Sequence, residues 1–222
     1  MFCESAVCQP FSAAEKASAV QAAKQVVVLE ADNLRRTPDR ALNAWGLTTD
    51  RLHKLALADL GDACPFYVLS SEEILKLTRI EDITELAWSR GIEFPVLIDE
   101  SVTLSITMRP VVDSTTKEVV WKEAGFGGGS GGKIGRTLEL SKKYPASLGY
   151  DMIHVYLSGI VDFYVIKKGS DYIIYNGYRT INGSIWGRGN DSDFTRILSI
   201  DEFLDAMRAF AKRYQGGGTV YN

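Results

Sequence analysis

Two spacings of apolar residues alternate along this chain. Val20, Ala23, Val27, Ala31 and Leu34 recur at steps of three and four, which places them on one stripe of a helix. Ser12 with Glu15 three residues on is the reciprocal capping pair that opens such a helix. The run Val26-Val27-Val28 opposes it, because β-branched side chains lose rotamer freedom in a helix, and Pro38 ends it. A second helix is predicted from Thr48 or Thr49, burying Leu52, Leu55, Ala56 and Leu60, with Gly61 as its C-terminal cap. Residues 65–69 read as a short strand, Ser70 and Glu73 cap a helical turn, and a further helix is predicted over residues 81–90, closed by Gly91.

The period then changes to two. Residues 94–98 read as a strand, and Val102, Leu104, Ile106, Met108, Pro110 and Val112 alternate with polar partners, as one buried and one wet face of an antiparallel sheet require. Pro110 has no N–H for a ladder, so its end of the strand is an edge or a bulge. Residues 113–117 form a hairpin loop and 118–121 the returning strand. Seven of the eleven residues from Gly125 to Gly135 are glycine, and a helix is predicted over 134–143, stopped by Tyr144-Pro145. Strands follow over 152–157, 160–168 and 172–175, with a turn at 168–171. A loop bearing Gly177, Gly183, Gly187 and Gly189 leads to a capping pair, Ser199 and Glu202. It opens a helix striped by Ile200, Phe203, Leu204, Met207, Phe210, Ala211 and Tyr214.

The predicted fold class is α+β: antiparallel β-hairpin sheets packed with helices, behind an N-terminal helical segment. The order strand, hairpin, glycine-bearing loop, helix occurs twice, which a two-unit pseudo-repeat would produce. The expected divisions are residues 1–62, 63–143 and 144–222, with the glycine tract as the joint; the alternative is that all three form one compact domain.

Composition narrows the partners. The net charge of −3 supplies no field for gripping phosphates, so nucleic acid is not expected as a partner. No apolar run reaches the length of a transmembrane helix. Cys3, Cys8 and Cys64 make an odd count, which suits reduced thiols in a cytoplasmic protein. The first residues carry neither the basic nor the apolar segment of a secretory leader.

Candidate chemistry is sparse. Gly127-x-x-x-x-Gly132-Lys133 has the spacing of a phosphate-cradling loop, in which bare backbone N–H groups and a lysine surround phosphate oxygens at a helix start. Ile134 stands where that loop needs a metal-binding hydroxyl, so the tract reads better as a linker or as a wide turn packed too closely for side chains. Cys64 with His53 or His154 is the available thiol–imidazole pairing. Its plainer alternatives are an inert core thiol and, for His154, a place on a strand surface. Asp99-Glu100 is either an acid–base pair or a hairpin turn, and the acids of residues 190–193 suit a turn better than a calcium loop. Neither metal nor cofactor is expected.

Tyr175, Tyr178, Arg179, Trp186 and Arg188 flank one polar, glycine-rich loop, and Tyr, Trp and Arg are the residues that dominate interface energetics. The sequence therefore points to a non-enzymatic protein-binding module of the inhibitor, immunity or adaptor kind. The alternative is an enzyme or binding protein for a phosphorylated ligand, held through Gly132 and Lys133. An envelope-associated protein with a leader or lipid anchor at its N-terminus is a third reading.

Overall fold

A computed structural model describes residues 11–38, 47–87, 89–127, 131–157, 161–176 and 197–215. In chain order the elements are α1 (Ala13–Leu34), α2 (Thr49–Leu55), β1 (Asp59–Leu60), β2 (Cys64–Leu69), α3 (Ser71–Lys76), α4 (Asp82–Leu86), β3 (Ser89–Ile98), β4 (Ser101–Val112), β5 (Val119–Gly127) and α5 (Gly131–Lys143). After a 3-10 turn (Ala146–Leu148) come β6 (Asp151–Leu157), β7 (Val161–Lys168), β8 (Asp171–Asn176), β9 (Ile197–Leu198) and α6 (Ile200–Gln215). The protein is α+β with mostly antiparallel strands, and it divides into two compact units, each assembled from separated stretches of chain.

Residues 11–65 and 91–145 form one unit. Its strands β1, β3, β4 and β5 pair antiparallel in that order. Ile92, Phe94, Val96 and Ile98 of β3 and Leu104, Ile106 and Met108 of β4 share one buried face, which is the alternation read from the sequence. Ala19, Ala23, Val27, Ala31 and Leu34 of α1 and Leu52 and Leu55 of α2 complete this core. Three of the five buried positions of α1 are alanine, so the helix axis can lie close to the sheet. Tertiary burial, at ~1.5–3 kcal/mol for each large apolar side chain, overrides the poor helix propensity of the valine run.

Turn chemistry sets the register. Ile98 pairs with Ser101, leaving Asp99 at φ 50° and Glu100 at φ 59° as the two turn residues. Positive φ at both positions is the primed hairpin turn, whose twist matches the strands but which favours Asn-Gly over Asp-Glu. In the next hairpin, Asp113 Oδ1 accepts the Thr115 N–H at 2.8 Å and the Thr116 N–H at 2.9 Å, and Lys117 takes φ 62° before the strand resumes. The β3 register reaches Met108, so Pro110 pairs only with Trp121 of β5, as a residue without an N–H must.

Residues 66–90 and 146–215 build the other unit. Strands β2, β6, β7, β8 and β9 lie side by side, β2 parallel to β6 and the rest antiparallel. Tyr67, Leu69, Val155, Phe163, Val165 and Ile174 face Ile74, Leu77, Ile80 and Ile83 around α3 and α4, and Phe203, Leu204, Met207 and Ala211 on α6. The rings of Phe163 and Phe203 meet edge to face, 5.0 Å between centroids. The two-residue turn between β7 and β8 has Gly169 at φ 60°, the conformation glycine supplies without a Cβ clash.

The three predicted capping pairs are all present. Ser12, Ser70 and Ser199 each accept the N–H of the glutamate three residues on, and each glutamate accepts the serine N–H in return, at 2.8, 2.7 and 2.9 Å. Several boundaries differ from the sequence reading. Gly61 caps no helix: α2 ends at Leu55, residues 59–60 pair with β3, and the Gly61 N–H donates to the Pro95 carbonyl at 2.8 Å. A Cβ at Gly61 would sit 3.2 Å from Pro95, so close approach, not helix termination, uses this glycine. The helix expected over 81–90 spans only Asp82–Leu86, and Gly91 lies inside β3.

Asp82 fixes where that helix starts. Its Oδ2 accepts the Thr78 N–H (3.0 Å), the Thr78 hydroxyl (2.7 Å) and the Arg79 N–H (2.9 Å), which fixes the turn before α4. These bonds, the Thr78 hydroxyl foremost, hold its carboxyl down to about 2. A depressed folded value means this stabilisation is complete above the unfolded value of about 4 and is lost as pH falls through about 2. Asp82→Asn should therefore cost about 1–2 kcal/mol at neutral pH and flatten the loss of stability between pH 4 and 2, measured by urea unfolding. Glu100→Gly should raise the urea midpoint by the equivalent of about 0.5–1 kcal/mol, because glycine relieves the left-handed strain and returns part of the gain as unfolded-state entropy. A lowered midpoint would contradict the turn.

Candidate functional site

Tyr175 is the one aromatic or arginine of the predicted binding loop that falls among the described residues. It lies on β8, pairs with Tyr164 on one side and Ile197 on the other, and is 3% exposed. Tyr178, Arg179, Trp186 and Arg188 lie outside the described residues, as do the acids of residues 190–193. The pairs Ile174–Leu198 and Tyr175–Ile197 bring together the two ends of the segment that carries them.

The sheet face that holds Tyr175 is rich in rings. By strand alternation it also carries Phe66, His154, Tyr156 and Tyr164. His154 and Tyr164 stack with centroids 4.2 Å apart and planes 12° apart. Tyr156 tilts against His154 at the same separation, and Phe66 meets Tyr156 edge to face at 5.6 Å. His154 and Tyr164 are fully buried. The expected strand-surface histidine is thus a core residue, because this face too is covered. Two-period alternation assigns residues to faces but does not say whether the second face meets water. The α3, α4 and α6 core lies on the opposite face.

Cys64 opens β2 and is completely buried. Burial drives its thiol well above the ordinary value, and the Glu93 carboxylate raises it further, against a smaller opposing effect of Lys16. The charges acting on it come from a glutamate and a lysine, not from a histidine, and His53 is exposed on α2. A thiol kept protonated is a poor nucleophile. Asp99 and Glu100 are exposed turn residues, and the Asp99 carboxylate pairs with Lys54 Nζ. Among the described residues no group of three or more His, Cys, Asp or Glu can hold a metal ion, and no helix is long and apolar enough to cross a membrane.

The glycine tract is regular structure on both flanks. Gly125 and Gly127 end β5 opposite Thr107 and Ser105, and residues 131–135 open α5, so Gly132 and Lys133 stand in its first turn. Residues 128–130 lie outside the described residues. A Cβ at Gly125 would lie 3.9 Å from Thr107, an ordinary contact, and one at Gly127 would meet nothing within 4 Å. The close backbone packing expected of the tract is therefore absent at these two positions.

One titratable cluster has no signature in the sequence. Tyr172 donates its hydroxyl to Glu81 Oε1 at 2.8 Å across 91 residues, and Lys167 lies 5.3 Å from the Tyr172 ring. The tyrosine hydrogen bond lowers the Glu81 carboxyl, burial raises the Tyr172 phenol, and the hydrogen bond to Tyr172 raises Lys167. The arrangement ties the turn before α4 to β8. A raised phenol and a raised ammonium are far from the neutral range in which proton transfer to substrate is efficient.

The chain matches no known protein family, no curated protein and no solved structure.

The Cys64 environment gives a direct test. In a Cys3→Ser/Cys8→Ser background, the remaining thiol should resist Ellman's reagent at pH 8 in the native state and react fully in denaturant. Rapid native labelling would restore Cys64 as a candidate nucleophile.

Proposed function

We propose that this protein is a binding module for another protein, of the inhibitor, immunity or adaptor kind, with its contact residues in the segment between β8 and β9. Tyr178, Arg179, Trp186 and Arg188 supply the aromatic and guanidinium groups suited to interface anchors. The observation that carries the reading is the pairing of Tyr175 with Ile197, which closes this segment at both ends onto the edge of a well-packed sheet. A rigid stem beneath a side-chain-rich excursion is how binding loops are commonly presented, since the ordering cost at the base is already met by folding. Tyr175, being buried, contributes to the stem and Tyr178 to Arg188 to the contact.

The test begins with crosslinking and mass spectrometry to identify a partner, followed by calorimetry on the two purified proteins. Trp186→Ala with Arg188→Ala should weaken binding by about tenfold or more without moving the melting temperature. Unchanged affinity would remove the site assignment.

A phosphorylated ligand at Gly132 and Lys133 is the second reading, favoured by one observation. The order β5, glycine tract, α5 puts both residues at a helix start behind a strand, where backbone N–H groups and the helix dipole favour anions. Ile134 and the antiparallel setting of β5 weigh against it. Lys133→Ala should then abolish a rise in melting temperature produced by millimolar ATP or GTP. A wild-type protein that shows no rise with either nucleotide ends this reading.

A further inference from the structure

We draw no further inference here: the strongest candidate, the buried aromatic face of the β2–β6–β7–β8 sheet centred on the stacked His154 and Tyr164, carries nothing because nothing in the structure shows what covers it.

Discussion

Strand register is the constraint on which both cores depend. Side chains alternate strictly across a strand, so a slip of one residue would exchange every buried group on it for its solvent-side neighbour. On β4 such a slip would bring Leu104, Ile106 and Met108 out of the α1 core and put Ser105 and Thr107 in their place. The register is pinned where the strands turn. Asp113 holds one hairpin through its own side chain, Gly169 shapes another, and Asp99 and Glu100 accept left-handed backbone in the third. That third turn is stable in an unfavourable conformation because its flanking strands pack Ile98 and Leu104 so deeply that the pairing is overdetermined.

The α1 helix shows how the core in turn decides local structure. Its buried stripe is mostly alanine, which is ideal for a helix, and its valine run is not. Val27 goes into the core while Val28 and Leu29 remain exposed, so the run is divided between faces rather than buried as a block. Across from it, β5 pairs only with β4 among the described residues and behaves as a guarded edge. Its register shifts opposite Thr107 and Met108, and the exposed Lys122 and Glu123 sit at that irregularity. A bulge and charged side chains both discourage a further strand from adding there.

Features with a short-range cause were legible in the sequence. Serine followed by glutamate three residues later gives its own mechanism, and all three such pairs cap helices. The alternation on β4 and the turns at 113–117 and 168–171 are equally local. Where the reading missed, a distant partner decided. Gly61 looks like a helix cap until Pro95 is placed beside it, 34 positions along the chain. Residues 87–90 continue a helical pattern, but from Ser89 the chain belongs to β3, whose pairing with β4 begins at Ile92. His154 is polar by type, and only the register across β2, β6 and β7 shows that aromatic rings surround it.

The candidate site follows the same division. Sequence alone gathers Tyr175, Tyr178, Arg179, Trp186 and Arg188 into one group because they are close along the chain. The fold removes Tyr175 from that group, since a residue 3% exposed on a paired strand cannot offer its surface to a partner while the sheet stays intact. A catalytic reading needs a nucleophile or base with a value near neutrality. Among the described residues the two largest shifts move the other way: Cys64 upward through burial, Asp82 downward through hydrogen bonds that serve a turn. Each shift has a structural cause, and each stabilises the form least suited to exchanging a proton at neutral pH.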